Sequence, residues 1–400
     1  MNMLKIKKNI ARILNKKLYF KYKDTIRKKT KYGNNSKKII LISHESSDSG
    51  AVILLLEIIK ELYMKKYNVK VLSRDYGPFI EKASEFAFVE VFANKRRFEK
   101  IIKKAYKCNY RNVLCNTTVN GDLTPILKKN SFNIVSLVHE LPATIKKLGL
   151  EKNASLLAEH SDFVIFPSKY VMNNFLSICS IKSKCLIKPQ GVNLTDKFTI
   201  NRNEAKEKIY QFYSIPKSSK IVLGVGVGDK RKGYDLFLDI VGNCTNEKVK
   251  FVWVGNYRKE IYEKKLRDYC VSKFDNLHQV GFISDVELLS IIYAAADVFA
   301  LTSREDPFPS VVLQAFNAKT PVVGFKDAGG FEDIVKDEHT GFLVDYESSD
   351  EMLRAITLLV NEKSKREEMG NKAKEIINNY GFREYVDYLL AAFQKCDERG

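Results

Sequence analysis

The sequence predicts an α/β protein with two doubly wound, Rossmann-like domains that follow a basic N-terminal segment. From residue 38 onward, short β-branched runs alternate with amphipathic helical stretches, a pattern typical of parallel sheets with crossover helices. The 400 residues are enough for about two or three domains. A hydrophobic fraction of 45% suffices for ordinary cores and argues against extensive disorder. A polar stretch at residues 194–204 separates two sets of six candidate strands.

The first set of strands defines an N-terminal domain at residues 38–198. Its candidate strands are Ile39–Ser43, Val69–Ser73, Asn112–Asn116, Ile134–His139, Phe163–Pro167 and Cys185–Pro189. The second domain covers residues 199–375, with candidate strands Ile221–Val227, Lys250–Gly255, Leu277–Val280, Val298–Thr302, Pro321–Gly324 and Gly341–Val344. Residues 350–394 are helical by spacing, and we expect the segment 376–400 to form a helix that packs back on the N-terminal domain. We expect the two domains to face each other across a cleft. Ligands of such sheets bind beyond the carboxyl ends of the strands.

The N-terminal segment, residues 1–37, is strongly basic. Residues 1–38 hold 14 Lys and Arg against the single acid Asp24, so the rest of the chain carries only +6 of the net charge of +19. Apolar residues recur at three- and four-residue steps, at Met3, Ile6, Ile10, Ile13, Leu14 and Leu18. The pattern predicts a helix lying in the plane of an anionic membrane surface. The alternative is a frayed terminus or a helix packed on the protein itself.

Cysteine usage and hydropathy point to the cytoplasm. The seven cysteines are odd in number and contain no C-x-x-C pair, which disfavours a disulfide scaffold or a zinc ribbon. The apolar run that starts at Ala51 is stopped by Glu57 after six residues, far short of a membrane span, and lysines interrupt any signal-peptide core. The +6 body lacks the basic, aromatic-studded face of nucleic-acid-binding proteins, so we expect no nucleic-acid partner.

A glycine-rich basic loop, residues 224–233, follows a predicted strand. It matches neither a dinucleotide fingerprint, because Asp229 stands where a third glycine is needed, nor a Walker A loop, because Tyr234 follows Gly233. The loop presents a cationic trio, Lys230, Arg231 and Lys232. Such a trio could neutralise a diphosphate, or it could be a solvated basic turn.

The second constellation, residues 303–314, follows a strand and leads into a helix. Pro309 suits the first turn of that helix. The free N–H groups of Ser310 and Val311 would then be available to a phosphate. Asp306 lies before the helix start, where capping alone could explain it.

These motifs resemble the family 4 glycosyltransferases of the GT-B fold. The segment Lys232-Gly-Tyr-Asp235 is similar to the family's Lys-Gly-x-Asp, and the later Gly329-Gly-Phe-Glu332 is similar to its Gly-Gly-x-Glu. At the end of the first domain, Phe166-Pro-Ser168 and Pro189-Gln-Gly-Val192 resemble the family's Pro-Ser and Pro-x-Gly-Val segments. The resemblance extends over roughly residues 38–390.

The resemblance implies a role for individual residues. Arg231 and Lys232 would hold the donor diphosphate, and the helix start would cap it. Asp306 and His139 would be catalytic, each contacting the donor sugar. The implied donor-binding residues are Gly50, Arg231, Lys232, Ile283, Phe308, Ser310, Val311 and Gln314. His44 and Glu45, beside Gly50, are better explained as strand-end capping groups.

Two positions depart from the family's pattern. The family's Glu-x7-Glu reads Asp306-x7-Gln314 here, and its Gly-Arg before the basic loop reads Gly226-Val227. Asp is one methylene shorter than Glu, and Gln keeps hydrogen-bonding capacity without charge. The departures leave donor choice open.

The resulting expectation is a retaining hexosyltransferase that moves a sugar from a nucleoside diphosphate sugar to a glycan or lipid-linked acceptor in cell-surface polysaccharide synthesis. The chain contains no Asp-x-Asp motif, so we expect no metal or other cofactor. The enzyme would be cytoplasmic, peripheral at the inner face of the membrane. Two alternatives stay open: a nucleotide-sugar epimerase of the same architecture, and a catalytically silent partner subunit.

Overall fold

The computed structural model describes residues 37–47, 49–192 and 200–397. The predicted membrane helix of the N-terminal segment lies outside these residues. The described chain divides into two compact units. Unit 1 runs to Lys188 and takes up the chain again from Tyr385, and unit 2 is Pro189–Glu384. The sequence placed the corresponding boundaries near residues 198 and 375.

Unit 1 is built on a sheet of seven parallel strands in the order β3-β2-β1-β4-β5-β6-β7. The strands are β1 Lys38–Ser43, β2 Asn68–Ser73, β3 Phe88–Val91, β4 Asn112–Asn116, β5 Asn133–Leu137, β6 Phe163–Phe166 and β7 Lys184–Ile187. Six of them occupy the predicted places. The strand β3 was missed: it is a four-residue edge strand in which Val89 alone is buried, and Glu90 interrupts its apolar run.

Helices cover both faces of this sheet, as continuous apolar strands require. They are α1 Gly50–Met64, α2 Pro78–Ser84, α3 Lys95–Lys107, α4 Thr124–Lys129, α5 Pro142–Lys147, α6 Glu151–His160 and α7 Lys169–Leu176, with a 3₁₀ turn at Thr118–Leu123. The last helix of the chain, α15 Phe382–Asp397, contributes Val386, Leu389 and Phe393 to buried positions. Within unit 1, Asp387 of α15 pairs with Lys65 at 2.7 Å.

Unit 2 is built on six parallel strands in the order β10-β9-β8-β11-β12-β13. The strands are β8 Lys220–Val225, β9 Val249–Val254, β10 Leu277–Gly281, β11 Val298–Leu301, β12 Val322–Phe325 and β13 Gly341–Val344. All six coincide with predicted strands. Its helices are α8 Arg202–Phe212, α9 Tyr234–Asn243, α10 Lys259–Asp268, α11 Val286–Ala295, α12 Ser310–Asn317, α13 Ser349–Asn361 and α14 Lys363–Ile377, with a 3₁₀ turn at Gly330–Asp333.

The helical stretch predicted at residues 350–394 is three helices, α13 to α15. The break before α15 has a structural partner: Val192 donates to the Tyr380 carbonyl at 2.8 Å and accepts from Phe382 at 3.0 Å. Gly191 permits this approach, since a Cβ there would lie 2.5 Å from the Gly381 carbonyl oxygen. The Pro-Gln-Gly-Val segment therefore has a packing role within unit 2.

The strand order locates the point in each sheet where a ligand site can form. Sequential strands wind outward in both directions from β1 and β4 in unit 1, and from β8 and β11 in unit 2. Loops after such neighbouring strands leave in opposite directions and open a crevice at their carboxyl ends. The basic loop follows β8 and the Asp306 segment follows β11, so the topology brings the two sequence motifs of unit 2 together.

Among the described residues, no helix combines the length and the apolar character that a membrane span needs.

Candidate functional site

The basic loop, residues 224–233 in the sequence, begins within β8, and the part beyond the strand, residues 226–233, closely approaches the end of β11. Gly233 adopts φ 65°, in the left-handed region, and a Cβ there would lie 1.8 Å from the Thr302 carbonyl oxygen. The Thr302 hydroxyl donates to the Lys232 carbonyl at 3.0 Å. Side chains at Gly233 would therefore clash, and glycine at this position allows the loop to reach β11.

Arg304 fastens the basic loop to its surroundings, a role that sequence analysis missed. Its guanidinium donates to both carboxylate oxygens of Asp235, at 2.7 and 2.8 Å, and to Glu347 at 2.5 Å. It also donates to the Lys230 carbonyl at 2.6 Å, and its backbone N–H donates to the Arg231 carbonyl at 2.9 Å. Burial raises the pKa of Asp235, but the hydrogen bonds and charge of Arg304 outweigh it and hold that pKa below its ordinary value.

Lys232 and Asp306, predicted separately, form an ion pair between Nζ and Oδ2. The Asp306 side chain is 6% exposed and that of Lys232 is 16% exposed. The Asp306 backbone is held by Ala328 and Gly330 at 2.9 and 3.1 Å. Its carboxylate accepts from Lys232, so the capping role considered from the sequence is not the one that the structure shows.

The helix α12 begins at Ser310, one residue later than expected, with Pro309 at the N-cap position. A proline side chain has no hydrogen-bonding atom, so the first N–H groups of α12 receive no side-chain cap from it. Ser310 is exposed and Val311 is partly exposed. The helix start lies directly after the Asp306 segment and presents donors to an incoming anion.

The other residues of unit 2 that the sequence analysis assigned to donor binding have different environments. Gln314 is partly exposed, one turn inside α12, and its amide makes no hydrogen bond with the described residues. Ile283 follows Gly281, which has φ 76°, and packs partly against the core. Phe308 is 4% exposed and belongs to the core. Any donor contact at Phe308 would therefore come from its backbone.

Gly50 in unit 1 is the first residue of α1 and is exposed. A Cβ built there would meet nothing within 4 Å. The Ser49 side chain makes no cap hydrogen bond and instead donates to Glu45 at 2.5 Å. Packing inside the protein does not require glycine at position 50, which leaves room for a ligand at this helix start.

His139 follows β5 and belongs to a polar cluster at the carboxyl edge of the unit 1 sheet. Its Nε2 lies 3.1 Å from Asn116 Oδ1, and its buried Nδ1 has no partner among the described residues. Glu140 Oε2 accepts from the His139 backbone at 3.2 Å and from the Thr118 hydroxyl at 2.8 Å. Burial lowers the pKa of His139; the charge of Glu140 opposes this shift and that of His44 adds to it. The imidazole is therefore held neutral at neutral pH.

His44 and Thr117 are the other unusual groups of this edge. Burial lowers the pKa of His44 against the opposing charges of Glu45 and Glu140, and His44 Nε2 lies 3.3 Å from Glu45 Oε1. Thr117, a β-branched residue, has φ 75° and is 1% exposed, with no partner for its hydroxyl among the described residues. Such backbone strain costs about 1–3 kcal/mol and clusters at functional sites. No sequence signal distinguishes Thr117, whereas Asn116 and Glu140 could have been found as polar residues at strand ends.

Comparison with solved structures decides the fold. The HepE protein of Anabaena, in a crystal structure with UDP and glucose, superimposes with a TM-score of 0.77 at 20% identity, covering 90% of this chain and 99% of that chain. The chain has the GT-B fold. This GT-B chain also matches the family model described as glycosyl transferases group 1 over residues 205–376, which lie in unit 2.

Two curated relatives align with part of the GT-B chain. The processive diacylglycerol alpha-glucosyltransferase of Acholeplasma laidlawii is 27% identical over 163 residues, 41% of this chain and 48% of the relative. The amylovoran biosynthesis glycosyltransferase AmsD of Erwinia amylovora is 27% identical over 162 residues, 40% of this chain and 44% of the relative. The chain thus spans about half the length of these relatives.

Proposed function

We propose that this chain is a retaining glycosyltransferase that transfers a hexosyl group from a nucleoside diphosphate sugar to a glycan or lipid-linked acceptor in cell-surface polysaccharide synthesis. It would work on the cytoplasmic side, peripheral at the inner face of the membrane. The observation that carries the proposal is that the basic loop is joined to the segment leading into α12: Lys232 pairs with Asp306, and Arg231 donates to the Glu305 carbonyl at 2.9 Å. Both contacts lie where the unit 2 sheet reverses its winding, between β8 and β11.

These groups suit a leaving diphosphate. As the bond between the anomeric carbon and the phosphate oxygen breaks, negative charge develops on the diphosphate. Arg231 offers a planar fork and Lys232 a point charge, and the N–H groups at Ser310 and Val311 add fixed dipoles. The new bond joins the anomeric carbon to the acceptor oxygen, and the acceptor's proton leaves with the diphosphate. These charges would do the work of a metal, so we propose that no divalent cation is needed.

Asp306 and His139 would orient the donor sugar. Lys232 holds the Asp306 carboxylate in place, and the burial of both side chains shields the pair from water. A donor phosphate would share Lys232 with Asp306 and leave one carboxylate oxygen to accept from a sugar hydroxyl. His139, kept neutral by burial, can accept or donate a hydrogen bond without adding charge.

The comparisons support the reaction class. The two curated relatives are named as a glucosyltransferase and as a glycosyltransferase of amylovoran biosynthesis, and the HepE structure contains UDP and glucose. The first name includes a lipid, diacylglycerol, and the second a biosynthetic pathway, that of amylovoran, and they favour the proposed lipid-linked or glycan acceptor.

The test is a nucleotide screen followed by turnover. We expect one of UDP, GDP, ADP, dTDP or CMP to raise the melting temperature clearly, because a ligand at about 100 times its Kd stabilises by about 2.7 kcal/mol. Sugars carried by that nucleotide are then tested for transfer to acceptors, with and without EDTA. Product formed from donor alone would indicate an epimerase, and loss of turnover in EDTA would refute the metal-free mechanism.

A catalytically silent subunit is the second candidate. Two residues favour it. Gln314 stands where the family 4 glycosyltransferases have a Glu, and Val227, which is 56% exposed, stands where they have an Arg. The candidate predicts no nucleotide shift, or a shift with no transfer to any acceptor.

A further inference from the structure

A cavity of about 550 Å³ opens in unit 1 at the amino ends of its first three strands. This edge of a parallel sheet is opposite to the carboxyl ends that carry Gly50 and His139. The charged residues lining the cavity are Lys38, Lys70, Glu90, Arg97, Lys100 and Lys104, and we call this site the basic pocket. It holds five cations and one carboxylate.

The single carboxylate of the basic pocket is already engaged. Glu90 pairs with Arg97 at 2.7 Å and with Lys70 at 3.4 Å. Lys38 donates to the Cys108 carbonyl at 2.9 Å. Lys100 and Lys104 make no ion pair with any residue that the structure describes, which leaves their charges available.

The crowding of these cations is unfavourable for the protein alone. Burial lowers the pKa of Lys70, Glu90 opposes that shift, and the charge of Lys104 adds to it. A bound anion would relieve the repulsion. Arg97 supplies a planar fork and the lysines supply mobile point charges, the combination that binds phosphate groups.

The helix α3, which forms one wall, extends the positive charge beyond the cavity. It carries seven Lys and Arg against the single acid Glu99. Its apolar face, Phe98, Ile101, Ile102 and Ala105, is buried, so the cations occupy the opposite side. In the sequence, Lys38 follows residues 1–37, which hold thirteen Lys and Arg and one acid.

We propose that the basic pocket binds a phosphate-bearing anion at a site separate from the donor residues of unit 2. The phosphate would lie between Arg97, Lys100 and Lys104, within reach of Lys38 and Lys70. Its source is either the headgroup of an anionic lipid or a soluble phosphate compound. The inference does not depend on the proposed glycosyl transfer.

The experiment compares two double variants of the full chain with the wild type. Lys100→Ala/Lys104→Ala removes the two pocket lysines that form no ion pair within the described part of the chain. Lys103→Ala/Lys107→Ala makes the same change of charge, at the same spacing on the same helix, outside the pocket. Each protein is titrated with pyrophosphate by calorimetry and floated with phosphatidylcholine vesicles with and without phosphatidylglycerol.

We expect the pocket variant to lose one pyrophosphate site, or to weaken it by about tenfold or more, since two phosphate-directed charges are removed. The control variant should retain the site.

A pocket-specific loss of flotation with phosphatidylglycerol identifies a lipid headgroup as the source, even if pyrophosphate does not bind. A pocket-specific loss of pyrophosphate with unchanged flotation identifies a soluble ligand. Equal behaviour of the two double variants in both assays would overturn the proposal. Both variants keep the cations of the proposed donor site. A failure of the donor-site proposal would therefore be seen separately, in the nucleotide screen.

Discussion

At the residue scale, the proposed donor site of unit 2 contains an ion pair with little exposure to solvent. Lys232 lies across Gly226, where a Cβ would be 3.5 Å from its Cγ and Cδ, and reaches Asp306. Lys230, two residues earlier, is exposed, and its side chain forms no hydrogen bond or ion pair with the described residues. Two lysines of one loop therefore have different environments, which makes them a matched pair for testing.

Replacing Lys232 by Ala should lower transfer by about tenfold or more, a loss of at least ~1.4 kcal/mol of transition-state stabilisation. The variant removes the positive charge that would face the donor diphosphate. It also removes the Lys232 partner of the Asp306 carboxylate. Lys230→Ala serves as the control and should keep near-normal rates. The measurement is kcat/KM with the donor found in the nucleotide screen, after circular dichroism has confirmed folding. Equal losses in the two variants would contradict the assignment of Lys232.

A second buried charge, Asp297, serves stability rather than chemistry. Its Oδ2 accepts from Lys206 at 2.6 Å and from the Ile221 backbone at 2.9 Å, and Oδ1 lies 3.4 Å from Arg366 Nε. Asp297 and Arg366 are 2% and 6% exposed in their side chains. The group joins α8, β8 and α14 in the core of unit 2.

Asp297→Asn should reduce the free energy of unfolding by about 3–5 kcal/mol, because it leaves two cations buried without a counter-charge. The control is Asp275→Asn, whose side chain is 80% exposed and pairs with Lys273 at 3.0 Å at the surface. Exposed pairs of this kind contribute little. Urea unfolding of the three proteins measures the difference, and a similar small change in both variants would show that the buried cluster is not needed.

At the element scale, two glycines at helix starts differ in whether packing requires them. Gly233 is required by the approach of the basic loop to β11, whereas Gly50 has open space where a side chain would lie. The same residue type therefore has opposite expected effects at the two positions.

Gly50→Val should leave the fold intact and reduce transfer by about tenfold or more if the donor or acceptor occupies the space beside α1. Gly233→Ala is the contrasting variant: it should lower the melting temperature, because the new methyl group would collide with the Thr302 carbonyl. Thermal unfolding and kcat/KM are measured for both variants. Normal transfer by Gly50→Val would place the substrates elsewhere.

The elements themselves were predicted with one omission among the strands. Among the described residues, twelve of the thirteen strands were predicted, and the central ones, such as β1, β4 and β5, have the continuous apolar sequences of strands that are buried on both faces. The edge strand Phe88–Val91 lacks that signal because only part of it is covered. The break between α14 and α15, at residues 378–381, lies close to the start predicted for the C-terminal segment at residue 376, and Val192, distant in sequence, forms hydrogen bonds across it.

At the scale of the whole molecule, buried imidazoles couple stability to pH. Burial lowers the pKa of both His44 and His139 from 6.5. Below pH 6.5 the unfolded chain therefore binds more protons than the folded chain, and stability is lost as pH falls. The pKa values of the Glu45 and Asp235 carboxyl groups are also lowered, from ordinary values of 4.5 and 3.8. These two groups therefore titrate at lower pH than the histidines.

The free energy of unfolding should fall between pH ~7.5 and pH ~5.5, by up to about 1.4 kcal/mol per pH unit for each histidine that stays neutral in the folded state. His139→Gln should flatten this dependence, whereas His339→Gln, at an exposed position, should not. Urea titrations at several pH values test this. An unchanged slope in His139→Gln would show that His139 does not supply the coupling.

The sequence by itself determined the α/β class, nearly all of the strands and the two motifs of unit 2. These features depend on local patterns: apolar runs, glycine and proline at turns, and the order of short motifs. Tertiary structure alone decided the pairing of Lys232 with Asp306, the clamp at Arg304, the core position of Phe308 and the basic pocket. Each of these joins residues that are far apart in the chain or depends on which face of an element is covered, and contacts of that kind leave no local pattern to read.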